Sequence, residues 1–373
     1  MNRSIKTLGH CSVKFSRSFS SLPVKTLSLK QYVDEGLPKP EHFSLTESSF
    51  KFQDEKATLE DGGLIVELKA LSADPFQRPT IRSDGKHRSA VKEGQPLHGF
   101  TVGKILHSKH PGWKEGDLFG AGLPFTTVQT ISPNLLKRTA IWKLTDYIKN
   151  ETELTYGLGV LGMPGSTAYG GLIDVLRPNK GETIFISSAS GTVGGLVGML
   201  AKQLFDCKVI GSCGGPKKGE LVKNLYGFDH VIDYKKASSA KELKAMLKEV
   251  APKGIDMYFE NVGGIHFDAA FSSLRVGGRI AICGFIAEYN NGIPNLTKIN
   301  PMDMIYTQQR IEGFVCTPWL VGKQGNFLHD MHTWLREGKI KVQETKFDGI
   351  ENWPIAFQAL FTGGNTGKVV VTV

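Results

Sequence analysis

Two spacings of apolar residues divide this chain. Between residues 26 and 132, apolar and polar side chains alternate over short runs such as residues 64–70, and Gly and Pro separate the runs. Alternation with a period of two is typical of strands that bury one face, so this region is predicted to be a small all-β barrel. From Leu154 onward, short apolar runs alternate with stretches of helical spacing.

The second region is predicted to be a parallel sheet covered by helices. The predicted strands are residues 183–187, 208–212, 230–233, 255–260 and 279–284. The predicted helices between and after them are residues 193–205, 217–225, 238–250 and 266–274. Repeated strand, helix and strand units form a right-handed, doubly wound parallel sheet. The chain is predicted to end with helices over residues 329–337 and 353–361 and a strand over residues 368–373.

A turn of small residues joins the first of these strands to its helix. Ala189, Gly191 and Gly194 occupy the three positions at which dinucleotide-binding turns need small side chains. Ala189 is expected to let the chain turn, Gly191 to let the backbone approach a pyrophosphate, and Gly194 to let the helix pack close to the sheet. Taken alone, the triplet also fits a tight turn without a ligand. The flanking strand and helix patterns favour the dinucleotide.

The end of the second predicted strand indicates which dinucleotide. About 20 residues past such a turn, NAD enzymes usually carry an acidic residue that binds the adenine ribose. This chain has Cys213, two glycines, a proline, Lys217 and Lys218 there. A lysine attracts a 2′-phosphate that a carboxylate would repel, so the predicted cofactor is NADP(H). A solvated basic turn is the alternative.

Net charge and composition add two expectations about partners. The 373 residues carry a net charge of +9, of which six units lie in residues 1–30, where no acidic residue occurs. The remainder is close to neutral, so no nucleic-acid partner is expected. The chain has no apolar run of the about 18 residues that a membrane span needs, so no membrane partner is expected either.

The basic N-terminus is predicted to be a targeting segment. Residues 1–23 spread Arg and Lys among Ser and apolar residues without a continuous apolar core, which is typical of an organellar transit peptide. The predicted location is the mitochondrion. A disordered extension on a cytoplasmic protein is the alternative. Five cysteines without paired spacing are expected to be free thiols.

Seven short motifs occur in a fixed order along the chain. They lie in residues 71–78, 162–169, 181–194, 227–235, 260–264, 283–290 and 364–368. In these motifs the chain resembles the medium-chain dehydrogenase/reductase superfamily, within its zinc-free branch of 2-alkenal double-bond reductases and prostaglandin reductases. The resemblance covers roughly residues 25–373. It implies an α/β protein in which a GroES-like β-barrel domain, residues 24–153 plus 320–373, contains an inserted Rossmann domain, residues 154–319.

The resemblance also implies the cofactor residues and a homodimer. Lys218 and Tyr234 would hold the 2′-phosphate of the adenosine. The residues implied at the pyrophosphate are Ala189, Gly191, Thr192, Val193 and Gly194. The residues implied near the nicotinamide are Met163, Thr167, Asn261, Cys283, Gly284 and Asn365.

The zinc sites of alcohol dehydrogenases cannot be assembled from this sequence. His98 has no glutamate beside it, and no cysteine lies between residues 12 and 206. The Cys and His ligands of a catalytic zinc and a four-cysteine structural lobe are therefore both missing, and no metal is expected. Without a Lewis acid, alcohol oxidation is disfavoured and hydride reduction with a weak acid nearby is favoured.

The predicted reaction is reduction of the C=C bond of an α,β-unsaturated aldehyde or ketone. Tyr289 is the predicted donor to the enolate, because a phenol with a pKa of about 10 stays protonated at neutral pH. A structural loop tyrosine is the alternative. Phe76, Phe314 and Trp319 are predicted to line an aromatic substrate pocket, or else to be core residues. Phe76 replaces a tyrosine that many relatives carry.

Two other functions remain: a quinone oxidoreductase of the same superfamily, and an NADPH-sensing RNA-binding protein.

Overall fold

The described part of the chain begins with an antiparallel pair of strands. The computed structural model describes residues 21–87, 89–291, 299, 301–322 and 324–373. The predicted leader lies outside the described residues except for its last three positions. Strand β1, Leu22–Leu29, pairs along its whole length with β2, Phe43–Phe50. β1 therefore begins two residues before residue 24, the predicted start of the barrel domain.

The first domain is a barrel of mostly antiparallel strands. After β2 its strands are β3 (Leu64–Ser72), β4 (His98–Ser108), β5 (Leu118–Pro124), β6 (Val128–Ile131) and β7 (Ile141–Lys143). Two short helices, α1 (Phe52–Thr58) and α2 (Pro133–Arg138), connect them. Alternate side chains of β3, including Leu64, Val66 and Leu68, point into one apolar core, as the period of two predicts.

The second domain is a six-stranded parallel sheet. Its strands are β8 (Thr183–Ile186), β9 (Lys208–Cys213), β10 (His230–Asp233), β11 (Ile255–Glu260), β12 (Leu274–Ile282) and β13 (Arg310–Gly313). Its helices are α3 (Met163–Gly170), α4 (Thr192–Phe205), α5 (Pro216–Asn224), α6 (Ala240–Val250), α7 (Ile265–Phe271), α8 (Pro301–Thr307), α9 (Thr317–Leu320) and α10 (Phe327–Arg336). The strand order β10-β9-β8-β11-β12-β13 is that of a Rossmann sheet, whose switch point lies between β8 and β11.

The chain then returns to the barrel. Strand β14 (Glu344–Asp348), helix α11 (Trp353–Thr362) and strand β15 (Lys368–Thr372) complete the first domain. β15 pairs antiparallel with β3 and parallel with β14. On α11, Trp353 is fully buried, and its indole N–H donates to the carbonyl of Ser72 at 3.0 Å. The predicted fold class, a barrel with an inserted Rossmann domain, is confirmed.

The return to the barrel comes later than the sequence placed it. Residue 320 was the predicted boundary, but α10 packs against α3 of the Rossmann domain. The hydroxyl of Tyr169 donates to Asp330 at 2.8 Å, and the Tyr169 ring stacks on Trp334 with centroids 6.0 Å apart. The apolar side chains of α10, including Phe327 and Met331, are buried there. The amphipathic helix is thus bound to the domain that precedes it in the chain.

Several other elements differ from the sequence prediction. The helix predicted over residues 266–274 ends at Phe271, and β12 begins at Leu274 instead of residue 279. Helix α3 was not predicted at all, because residues 164–170 are all buried and so show no amphipathic period. Within the described ranges, no helix combines the length and apolar character needed to cross a bilayer.

Candidate active site

The turn after β8 has the close packing that the glycine pattern predicts. Ser188 adopts the left-handed conformation, with φ 53°, so the reversal occurs there and not at Ala189. Ala189 is fully buried, and its amide donates to the carbonyl of Ser212 at 2.9 Å. A Cβ on Gly194 would clash with the carbonyl oxygen of Ser188. Glycine at this position is therefore what lets α4 start so close to β8.

The start of α4 meets the loop before β15. Gly191 is the N-cap of α4, and no side chain caps the helix. Thr192 and Val193 form its first turn and are half-buried. The amide of Gly367 donates to the carbonyl of Ser190 at 2.8 Å, so the C-terminal loop that carries Asn365 lies against this turn. Free N–H groups and the helix dipole at this end favour a phosphate.

Basic side chains surround the end of β9. A Cβ on Gly214 would lie 3.4 Å from the Tyr234 hydroxyl and 2.9 Å from Cε of Lys235. Nζ of Lys218 lies 3.7 Å from the position of a Cβ on Gly363. Burial lowers the pKa of Lys218, Cys213 partly opposes this effect, and Lys235 adds a smaller lowering. The arrangement suits a doubly charged phosphate.

A buried histidine supports Tyr234, and the sequence analysis missed it. The imidazole of His266 packs edge-on against the Tyr234 ring, with centroids 5.1 Å apart. Its Nε2 lies 2.9 Å from Oγ of Ser212. His266 is 3% exposed, and burial lowers its pKa to about 4, so it is neutral at physiological pH. A lone histidine in a predicted helix provided no signal for this role.

Asn261 and Cys283 lie side by side at the carboxyl ends of β11 and β12. The Cys283 thiol donates to Oδ1 of Asn261 at 2.9 Å, and Nδ2 of Asn261 donates to the carbonyl of Ser187 at 2.7 Å. Burial raises the pKa of Cys283, so the thiol keeps its proton. These residues flank the switch point of the sheet, where dinucleotides bind in this fold.

Beneath them lies the buried carboxyl group of Glu260. Its Oε1 accepts from Ser187 Oγ at 3.1 Å and from the amides of Val262 and Gly263 at 2.6 and 2.9 Å. Burial raises the pKa of Glu260 despite these bonds. Because Glu260 is fully buried, it serves to hold the turn that carries Asn261 in place.

The hydroxyl of Tyr289 faces the same edge of the sheet. Its oxygen accepts from the amide of Phe285 at 3.4 Å and lies 3.5 Å from the position of a Cβ on Gly284. Burial raises the pKa of Tyr289, and the Phe285 amide opposes this effect. Among the described residues its O–H has no acceptor, so the proton is available to a ligand. The structure thus brings Tyr289 to the Cys283–Gly284 edge.

Met163 begins α3, and Thr167 lies one turn further along it. The Thr167 hydroxyl donates to the carbonyl of Met163 at 2.8 Å. Thr167 is buried and Met163 is half-buried. Both Thr167 and Ser166 contact the thiol of Cys316, which follows β13, and burial raises the pKa of that thiol. The two residues therefore border the end of the sheet from the α3 side.

The three predicted pocket aromatics lie in two places. Phe76 is half-buried in the barrel domain and packs edge-on against Phe100, with centroids 5.7 Å apart. Phe314 is half-buried after β13 and contacts the Trp319 ring. Trp319 itself is only 7% exposed, and its indole N–H donates to Asp174 at 2.5 Å. The burial of Trp319 favours its alternative as a core residue, and its role at a pocket stays a prediction.

An ion pair is buried between the barrel and the C-terminal loop. Nζ of Lys368 lies 2.5 Å from Oδ1 of Asp74 and 3.3 Å from the carbonyl oxygen of Ala73. Ser72 Oγ accepts from Lys368 and donates to Asp74. Both charged side chains are nearly inaccessible, at 3% and 5% exposed. The pair joins the segment that carries Phe76 to the loop that carries Asn365.

His98, the first residue of β4, lies in a recess of the barrel. The ring is reached by solvent, and a Cβ on Gly122 would lie 3.5 Å from its Cε1. Loss of hydration in the recess lowers the pKa of His98. Across the described residues, no three His, Cys, Asp or Glu side chains are grouped as a metal site would require.

The fold and this site define a nicotinamide-dependent oxidoreductase. The sequence model of the family described as "N-terminal domain of oxidoreductase" matches residues 25–138, and that of "Zinc-binding dehydrogenase" matches residues 192–325. The second match covers most of the Rossmann domain, and its name alone assigns no zinc to this chain.

Curated relatives and a solved structure resemble the chain over nearly its whole length. An NADP(+)-dependent 2-alkenal reductase of Nicotiana tabacum is 36% identical, covering 94% of this chain and 97% of the relative. Prostaglandin reductase 1 of Rattus norvegicus is 35% identical, covering 93% and 98%. The structure of CurA from Vibrio vulnificus in complex with NADPH is 33% identical, with a TM-score of 0.80, and covers 94% of this chain and 99% of that one. The chain belongs to the medium-chain dehydrogenase/reductase family, in the branch of these NADP-dependent reductases.

Proposed function

We propose that this protein reduces the C=C bond of α,β-unsaturated aldehydes and ketones with NADPH. One observation carries the proposal: the protonated Tyr289 hydroxyl lies at the Cys283–Gly284 edge, beside Asn261 and the switch point of the sheet. The relatives named above, a 2-alkenal reductase and a prostaglandin reductase, support the same chemistry.

The residues of the Rossmann domain fit NADPH. Lys218 and Tyr234 would hold the 2′-phosphate, with Lys235 as a further cation. The uncapped start of α4, after Gly191, would receive the pyrophosphate. When bound, NADPH supplies a hydride. The side chains of Asn261 and Cys283, fixed by their mutual hydrogen bond, would border the reactive end of the cofactor.

Tyr289 would stabilise the charge that develops on the substrate. When the β-carbon gains a hydride, negative charge moves to the carbonyl oxygen as an enolate, and the α-carbon then takes a proton. A preorganised O–H in a poorly hydrated site stabilises that oxygen far more than an exposed one would. Burial raises the pKa of Tyr289, so the phenol stays protonated as a hydrogen-bond donor across the neutral pH range.

The substrate would bind against aromatic rings of the barrel. Phe76, Phe100 and Trp142 form a chain of ring contacts, with centroids 5.7 and 6.0 Å apart. This apolar wall suits the hydrocarbon part of an enal or enone and excludes water. Phe76 has no hydroxyl, so Tyr289 is the phenol on which the enolate oxygen would depend.

A substrate panel tests cofactor and reaction together. NADPH and NADH consumption would be compared with 4-hydroxynonenal, a 15-oxoprostaglandin and a naphthoquinone. We expect turnover of the two enones with NADPH and a preference for NADPH over NADH of at least about 10-fold. Turnover of the quinone alone would favour the quinone oxidoreductase alternative, and no turnover with any substrate would refute the proposal.

Replacement of Tyr289 tests the mechanism. Tyr289→Phe is expected to lower kcat for enones about 100-fold, because it removes one donor to the developing enolate, while the Kd for NADPH stays within a factor of about two. Tyr147→Phe is the matched control, since the Tyr147 ring packs on His332 away from the site. Full enone activity in Tyr289→Phe would exclude the donor role.

We propose further that the protein forms a homodimer through β13. This strand is the edge of the parallel sheet and pairs on one side with β12. Nearby on α8, Ile305 and Tyr306 are 64% and 74% exposed. An open strand edge beside apolar side chains suits a second copy of the same surface. Light scattering should show a dimer, and Ile305→Glu should shift it toward monomer; a monomeric wild type would contradict the proposal.

We propose also that residues 1–23 direct the protein to mitochondria. The support is compositional: residues 1–30 contain six basic residues and no acidic one. A fluorescent protein fused after residue 30 should localise to mitochondria, and a fusion that lacks residues 1–20 should not. A cytoplasmic signal from the first fusion would favour the alternative of a disordered extension.

A further inference from the structure

The loop that carries Tyr289 is attached to both domains. On the Rossmann side, the amides of Ile286 and Ala287 donate to the carbonyls of Asn261 and Val262 at 3.2 and 3.0 Å. On the barrel side, the next residue, Asn290, receives two hydrogen bonds. Its carbonyl accepts from the amide of Gly36 at 2.9 Å, and its Oδ1 accepts from Nε of Arg78 at 2.9 Å.

Arg78 is an unusual partner for this loop because it is a fully buried cation. Its other guanidinium nitrogens donate to the carbonyls of Val33 and Gly36, at 2.7 and 3.0 Å. These acceptors, like Asn290, are neutral. Burial lowers the pKa of Arg78 to about 10, so the group remains charged at neutral pH. Of the charged groups nearby, Arg82 lowers the pKa of Arg78 further and Asp34 opposes this effect. Burying the guanidinium costs free energy, which its three directed hydrogen bonds must offset.

The planar guanidinium joins segments from both domains. Arg78 follows Phe76 in the barrel, and Asn290 follows Tyr289 at the end of the Rossmann sheet. The Arg78 side chain therefore connects the segment that carries Phe76 to the loop that carries the Tyr289 hydroxyl. A lysine could not reproduce this, because its ammonium lacks the fixed fork of donors. Nearby, Arg82 donates to the carbonyl of Asn291 at 2.9 Å and supports the same attachment.

We propose that Arg78, acting through Asn290, is a positioning residue that holds the Tyr289 hydroxyl where the enolate oxygen develops. The inference rests on the proposed function and adds a residue to it. If it is correct, loss of the Arg78–Asn290 hydrogen bond should lower kcat only because the Tyr289 hydroxyl is displaced. Binding of NADPH should change little, because among the described residues neither Arg78 nor Asn290 hydrogen-bonds to the start of α4 or the end of β9, which would hold its phosphates.

The primary variant is Asn290→Ala in the full chain, since it leaves Arg78 bound to Val33 and Gly36. We expect kcat for 4-hydroxynonenal to fall at least about 10-fold, because a displacement of about 1 Å can cost up to about 100-fold. The Kd for NADPH, measured by fluorescence, should stay within a factor of about two. Asn290→Asp keeps an oxygen acceptor for Arg78 and should restore most of the activity. Asn224→Ala, exposed at the end of α5, is the control.

A double-mutant cycle separates positioning from general damage. In a Tyr289→Phe background, Asn290→Ala should lower kcat by less than about twofold, because the hydroxyl that it positions is already gone. Independent, multiplying losses would overturn the proposal, and so would unchanged kcat in Asn290→Ala. Because the wild-type panel tests enone reduction by itself, failure of this cycle in an active wild type would refute the positioning role and leave the proposed function standing.

Discussion

Removal of Lys368 should destabilise the protein strongly, because it leaves a buried carboxylate without its counter-ion. Lys368 bridges β15 to the segment after β3, and its Nζ contacts Asp74, Ser72 and the carbonyl of Ala73. Lys368→Met keeps most of the length and volume of the side chain and removes the charge and its donors. The change therefore isolates electrostatics and hydrogen bonding from packing.

The magnitude follows from the burial of the pair. The Lys368 and Asp74 side chains are 3% and 5% exposed, so solvent screens their interaction little. Breaking a buried pair by removing one partner costs about 3–5 kcal/mol. Ser72 still donates to Asp74, so we expect the lower end, about 3 kcal/mol. Replacing both partners, as in Lys368→Met with Asp74→Asn, should recover stability to within about 1 kcal/mol of the wild type.

Urea unfolding followed by tryptophan fluorescence would measure these differences, with NADPH absent so that binding does not contribute. The exposed pair Lys339 and Glu337 provides a control, because Lys339→Met should change the free energy of unfolding by less than about 1 kcal/mol. If Lys368→Met were as stable as the wild type, or if the double variant were less stable than the single one, the buried pair would not have the role described here.

Three further predictions concern the cofactor domain. Lys218→Met should weaken NADPH binding by at least about 10-fold, measured by fluorescence titration, and leave NADH binding within a factor of about two, because only NADPH carries the 2′-phosphate. Gly194→Ala should weaken binding of both cofactors, because its Cβ clashes with the Ser188 carbonyl and displaces the turn; equal affinities would contradict the packing argument. Burial lowers the pKa of His266 from 6.5 to about 4, so the unfolded chain gains a proton below pH 6.5 that the folded chain does not. Stability from this site is therefore complete above that pH and is lost as the pH falls to about 4. In His266→Asn, the free energy of unfolding measured with urea should lose about 3 kcal/mol less than in the wild type between pH 6.5 and pH 4. The same pH dependence in the variant and the wild type would exclude His266 as its source.

Local patterns predicted much of the Rossmann domain. The strand at Thr183–Ile186, the turn through Gly194 and the helix that follows are encoded by neighbouring residues, so their periodicity and small side chains were sufficient. Helix α3 was not predictable in this way, because all but one of its residues are buried and no polar face marks its period. The chain turn expected at Ala189 has its left-handed residue one position earlier, at Ser188.

The candidate site shows the same division. Lys218 and the absence of an acid after β9 are properties of a short segment, so the sequence could indicate NADP(H) from them. Support of Tyr234 by His266, and burial of Trp319 against Asp174, depend on contacts between segments that are distant in the chain. No spacing rule relates such residues, so the sequence does not indicate these contacts.

Most element types, the dinucleotide turn and the sign of the charge beside it depend on residues within a few positions of one another, so they could be predicted from the sequence. The contact of Arg78 with Asn290 across 212 positions, and that of Lys368 with Asp74 across 294, follow from the three-dimensional fold. Long-range packing decides which polar groups lose water and which partners replace it. The loss of water and the new hydrogen-bond partners fix the position of the Tyr289 hydroxyl, and with it the chemistry that this protein can perform.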